Sequence, residues 1–101
     1  MTGKVLLVMF DARMKTFTDK RNYRVFQRKL TGEGFSILQK SVYIRCSTSS
    51  ATSASQIARI KKFTPSGIKV RIICLPQHVF EGMINVNCDG VDCVLPCIIS
   101  I

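Results

Sequence analysis

The chain has 101 residues, with 15 Lys and Arg against 6 Asp and Glu, a net charge of +9, and 47% hydrophobic residues. That length fits one compact domain and not two, and the apolar share, with no low-complexity tract, excludes a disordered polyelectrolyte. No transmembrane span, signal peptide or strongly amphipathic basic helix is read, so the positive charge points to nucleic acid held by counterion release in preference to a membrane.

In chain order, Lys4-Val-Leu-Leu-Val-Met-Phe10 reads as a strand buried on both faces and ending at Asp11. Ala12 to Thr18 is polar and basic, a loop by composition. From Asp19 a helix is expected, with Tyr23, Phe26 and Leu30 on one stripe and Lys20, Arg21, Arg24, Gln27 and Arg28 on the others. Thr18 is the expected N-cap, and Gly34 suits the left-handed position beyond the C-terminus. Phe35 to Gln39 and Ser41 to Cys46 read as two short strands, the second alternating Val42 and Ile44 with Tyr43 and Arg45. Ser47 to Ser55 reads as a loop feeding a helix whose stripe is Ala54, Ile57, Ala58 and Ile60, down to Phe63. Pro65-Ser66-Gly67 stops that helix. Ile68 to Leu75 is a strand, with Ile68, Val70 and Ile72 opposed to Lys69 and Arg71. Pro76 to Met83 suits a helical turn with Pro at its start. Asp89-Gly90 marks a turn, and Val94 to Ile101 reads as a last strand, confined by Pro96 to a sheet edge.

The order β-α-β-β-α-β is that of an α+β, ferredoxin-like fold: a four-stranded antiparallel sheet with both helices on one face. Residues 1–83 make up this domain, and 84–101 form a C-terminal extension. The uncovered sheet face and the spare strand together predict a homodimer. Two sheets pack face to face, and each chain lends its last strand to complete the partner's sheet.

Val-Leu-Leu-Val-Met-Phe-Asp11, Tyr23-Arg24-x-Phe26, Lys29-Leu30-x-x-x-Gly34-Phe35 and Leu38-Gln39-Lys40-Ser41-Val42-Tyr43-Ile44-Arg45 occur in one order. In order and spacing they resemble the CRISPR adaptation (Cas-two) family, in the version that accompanies type II systems. The likeness covers residues 4 to 45 well, Val70 to Leu75 loosely, and 84 to 101 in character only. It implies a small cytoplasmic dimer that partners the Cas-one integrase in spacer capture, where its role is architectural and cutting is dispensable, and metal-dependent nuclease activity on RNA or duplex DNA in many members. The family's metal-binding and catalytic aspartate maps to Asp11. A free-standing, toxin-like endoribonuclease of the same fold is the alternative.

A carboxylate directly after a buried strand is held by rigid backbone, as a site requires. Magnesium, or manganese in its place, takes oxygen ligands and keeps several waters, so one carboxylate per chain makes a weak site. A two-fold axis near Asp11 would supply the second from the partner. Without the family resemblance, Asp11 would read as a residue capping the following loop.

Arg13, Lys15, Lys20, Arg21, Arg24 and Arg28 gather in the first loop and helix with Asp19 as the one acid among them. The plain reading is a solvated helix face. The functional reading is a row of phosphate contacts on duplex DNA, extended by Lys40, Arg45, Lys61, Lys62, Lys69 and Arg71. Ser41 and Tyr43 fit either a core-facing or a site-lining position, and the aromatic signature of an RNA-recognition sheet is absent, so backbone and shape reading is expected. Five cysteines without a secretory signal predict free thiols. Cys88, Cys93 and Cys97, with His78, lack the paired spacing of a zinc site, and His78 reads as a surface or packing residue.

Overall fold

In a computed structural model, residues 3–47 and 50–88 are described. The strands are β1 (Lys4–Ala12), β2 (Ser36–Gln39), β3 (Val42–Ser47) and β4 (Ile68–Pro76); the helices are α1 (Phe17–Gly32), α2 (Ser50–Phe63) and α3 (Gln77–Glu81). The sheet runs β2-β3-β1-β4 with every neighbouring pair antiparallel. This is the expected ferredoxin-like α+β fold. The expected turn at Asp89-Gly90 and the strand from Val94 to Ile101 lie outside the described residues.

Period-two alternation along β1 divides the core. Leu6, Val8 and Phe10 point to the face covered by α1 and α2, where they meet Phe26, Leu30, Phe35, Tyr43, Ile60 and Ile68. Val5 and Leu7 point the other way and pack with Ile44 and Phe80. Phe80 comes from α3, so the second face is not bare: one helical turn, started at Pro76, covers part of it. Met9 and Ile73 remain 37% and 46% exposed on that face.

Phe10 is the hub of the larger core. Its ring lies 5.0 Å from Phe26 edge to face, 5.7 Å from Tyr43 in a stack, and 5.9 Å from Tyr23. Tyr43 is therefore a core residue, and its hydroxyl accepts a hydrogen bond from Gln27 Nε2 at 3.2 Å.

Helix α1 begins earlier than expected. Thr16, not Thr18, is its N-cap: the Thr16 hydroxyl accepts from the Asp19 N–H (3.0 Å), and the Asp19 carboxylate accepts from the Thr16 N–H (3.1 Å). This reciprocal capping box outcompetes a cap at Thr18 because it satisfies two orphan donors at once. The helix closes as expected, with Gly34 beyond its last residue, Gly32, in the left-handed position at a φ of 92°. Phe35 N–H reaches the Leu30 carbonyl (3.1 Å) and Gly34 N–H that of Thr31 (3.0 Å), a Schellman closure that also brings Phe35 onto Leu30 in the core. A Cβ on Gly34 would lie 2.8 Å from Arg45 Nε in addition to the left-handed strain. Gly34→Ala should thus cost about 1–2 kcal/mol, read as a lower urea midpoint at unchanged m-value.

Helix α2 starts at Ser50, inside the Ser/Thr/Ala stretch read as loop, since no Gly or Pro interrupts it. Its buried side differs from the expected stripe. Ser53, Gln56 and Ile60 are buried and Ile57 and Phe63 partly so, while Ala54 and Ala58 are exposed. Gln56 is fully buried, with neither amide atom hydrogen-bonded among the described residues. Cys74 and Cys88 carry free thiols, as expected, but Cys46 is disulfide-bonded.

Candidate functional site

Asp11 does not follow β1 but lies within it, one residue before its end, paired in register with Lys69 of β4. It alternates with Phe10 and Ala12, which both face α1 and α2, so its side chain stands on the opposite face of the sheet. The carboxylate is exposed, and among the described residues it has no hydrogen-bond or ion-pair partner. The loop-capping role that such a residue often plays is thus not the one it has here.

Two shallow hollows meet at Asp11. One, of about 440 Å³, is lined by Met9, Phe10, Asp11, Ser41, Val42, Lys69 and Arg71. The other, of about 370 Å³, adds Ala12, Arg13, Ser66 and Gly67 to Asp11 and Lys69. Ser41 is brought there by the tight turn between β2 and β3, where its φ is 64° and its carbonyl accepts from Phe10 N–H at 3.0 Å. Ser41 is the site-lining residue of the pair left open above, and Tyr43 the core one.

The sequence-predicted cations divide into two groups. Lys20, Arg21, Arg24 and Arg28 lie exposed on the outer side of α1, within an arc of about 100° at 3.6 residues per turn. They sit on the helix-covered side of the sheet, away from the Asp11 carboxylate. Arg13 lines the Asp11 hollow, yet its Nε is 3.7 Å from Asp19. Lys15 is tied to the same carboxylate by its backbone N–H (3.2 Å). The Thr16 N–H, more than any other neighbour, holds the Asp19 carboxyl below its ordinary range, with Lys15, Arg13 and the Thr16 hydroxyl adding to it against partial desolvation. Asp19 therefore serves the helix start, and among the described residues Lys20, Arg21, Arg24 and Arg28 form no ion pair.

Residues missed at the sequence level are Lys69 and Arg71 as neighbours of Asp11. Their signal was the alternation of β4, but the register that sets them beside Asp11 appears only once β1 and β4 are paired. His78 is exposed on α3, at the opposite end of β1 and about 23 Å along the strand from Asp11 at 3.3 Å per residue. No cluster of three or more metal-ligating side chains occurs among the described residues. No helix there is long and apolar enough to cross a membrane.

Comparison with known proteins fits this frame. The profile of the family described as CRISPR associated protein Cas2 matches residues 4–83. A protein of Lacticaseibacillus rhamnosus named CRISPR-associated endoribonuclease Cas2 is 41% identical to this chain, with 77% of each covered. A namesake from Ligilactobacillus salivarius is 31% identical over 77% of each chain, and one from Streptococcus mutans 29% identical over 81% of this chain and 77% of its own. With a profile match from the start of β1 past the end of α3, the chain belongs to the CRISPR-associated Cas2 family.

Proposed function

We propose that this chain acts in CRISPR adaptation in the cytoplasm as a basic homodimer. In this reading it grips the backbone of duplex DNA, bridges the Cas-one integrase, and hydrolyses phosphodiester bonds at paired Asp11 residues sharing one magnesium or manganese ion. The observation that carries the site is the Asp11 carboxylate itself, exposed, without a partner among the described residues, and mounted near the end of a central strand. The exposed Met9 and Ile73 on the same face favour packing of two sheets there, which would bring the two Asp11 side chains toward one axis. The curated relatives' names favour RNA as the polymer cut, and their CRISPR designation favours this reading over a free-standing toxin.

A carboxylate is the hard oxygen donor that magnesium takes, and among the described residues Asp11 is the one carboxylate lining the two hollows, so the fit depends on the second protomer. Bound there, the ion would supply positive charge to polarise the phosphodiester and to acidify an attacking water. Asp11 itself orients that centre, its position set by the β1–β4 ladder and not by a mobile loop. His78 is too distant to take up a proton from the water, so the proton would pass to solvent through the open hollow.

The test is magnesium-dependent cleavage of single-stranded RNA and duplex DNA by the wild type and by Asp11→Ala. Removing even an indirect support of a metal site costs 10–100-fold, so loss of the ligand should lower cleavage by about 100-fold or more while duplex binding persists. Cleavage by Asp11→Ala at the wild-type rate would remove the hydrolytic site from Asp11. Binding without cleavage by either protein would leave a DNA-holding adaptor as the function.

A further inference from the structure

The charge balance around Asp11 is opposite to that of a ready-made cation site. Lys69 stands directly across from Asp11, and Arg71 across from Met9, so the alternation of β4 puts both cations on the face that carries the carboxylate. Directly opposed residues on one face have Cβ atoms about 4.5–5.5 Å apart and diagonal ones about 7–8 Å, within reach of these long side chains. Both line the hollow that holds Asp11 and Ser41. Both are exposed in the single chain, on the edge strand of the face where two sheets would pack, and neither has an ion-pair partner among the described residues. Arg13 adds a third positive group on the neighbouring hollow, though its guanidinium also faces Asp19.

One carboxylate beside two free cations attracts an anion more strongly than a bare divalent ion. A guanidinium and an ammonium at two-residue spacing on one strand, about 7 Å apart along it, suit two oxygens of one phosphate or two successive phosphates. We infer that Lys69 and Arg71 form a seat for a backbone phosphate of the nucleic acid, set beside Asp11 and separate from the cationic row on α1. This rests on the reading of the chain as a nucleic-acid-binding protein. Phosphate oxygens held by Lys69 and Arg71 would add to Asp11 the negative charge that a divalent cation needs, so each ion would favour binding of the other. Without nucleic acid, the cations beside Asp11 oppose the metal. Asp11 alone would oppose the phosphate.

The experiment is a salt titration of binding without divalent ions. A fluorescent DNA duplex and a single-stranded RNA serve as probes for full-length wild type, Lys69→Gln/Arg71→Gln, Lys69→Arg/Arg71→Lys and Asp11→Asn. One lost phosphate lowers the slope of log K against log salt by about 0.9 per protomer on duplex, or about 0.7 on a single strand, and two successive phosphates lower it by about 1.8 or about 1.4. The charge-removing pair should show that drop, the charge-keeping swap should restore the wild-type slope, and Asp11→Asn should bind more tightly than wild type. Light scattering on the same samples should report one unchanged mass. Wild-type slope and affinity in Lys69→Gln/Arg71→Gln would overturn the seat while leaving the α1 row in place. So would weakened binding that tracks only a change of mass, or that the charge-keeping swap fails to restore. Failure of the wild type to bind either probe would instead overturn the nucleic-acid reading on which the seat depends.

Discussion

Replacing Lys20, Arg21, Arg24 and Arg28 together by Gln should weaken duplex binding by on the order of a thousandfold at 0.1 M salt and flatten its salt dependence. The four side chains share the exposed side of α1, and Asp19, the one acid at this end of the helix, is engaged by Thr16, Lys15 and Arg13. Counterion release gives each phosphate contact about 0.9 of log–log slope on duplex DNA, so four lost contacts remove about 3.6. Glutamine keeps the helix propensity and most of the aliphatic stem, so α1 should persist by circular dichroism. A slope unchanged within about 0.5 would show the row to be a solvated helix face. Combined with the Lys69 and Arg71 substitutions, the slope changes should add, because the two groups stand on opposite sides of the sheet.

What could be read from the residues alone was whatever depends on local period and turn chemistry. The alternation Ile68, Val70, Ile72 against Lys69 and Arg71 assigned the two faces of β4, and Gly34 marked the left-handed close of α1. Thr16-Phe-Thr-Asp19 also carried its signature, since Thr followed three residues later by an acid is a capping pattern. Thr18 lacks that signature, since Arg21 and not an acid follows it three residues later. Helix α2 was harder. Its inward positions hold Ser53 and Gln56, so hydrophobic spacing pointed to Ala54 and Ala58 on the outside. The site was legible as a single residue. Asp11 could be named from the family pattern, but its neighbours come from β4, more than fifty positions along the chain. They become neighbours only through a register that shifts every side chain to the other face if it slips by one. That long-range pairing is also what separates Asp11 from the α1 cations, which the sequence places close by.

Phe26→Ala should be the most damaging single substitution for stability, lowering it by about 3–5 kcal/mol. Phe26 is fully buried where α1 crosses the sheet, edge to face with Phe10 at 5.0 Å and tilted against Phe63 of α2 at 5.7 Å. It thus touches β1 and both covering helices. Neighbours anchored on three elements cannot collapse into the space it leaves. Domains of this size hold about 5–15 kcal/mol in total, so the variant should melt about 12 °C or more below wild type. The effect should extend to function by a route distinct from Asp11. Phe10 is both the ring partner of Phe26 and the residue next to Asp11, and its backbone N–H is bonded to the Ser41 carbonyl that borders the hollow. Loosening that packing should lower nucleic-acid binding only at temperatures where the fold itself loosens, whereas Asp11→Ala should leave the melting curve nearly unchanged. Calorimetry of the two variants at one protein concentration separates the roles. Equal melting temperatures for Phe26→Ala and wild type would mean that the aromatic cluster around Phe10 does not hold the domain together.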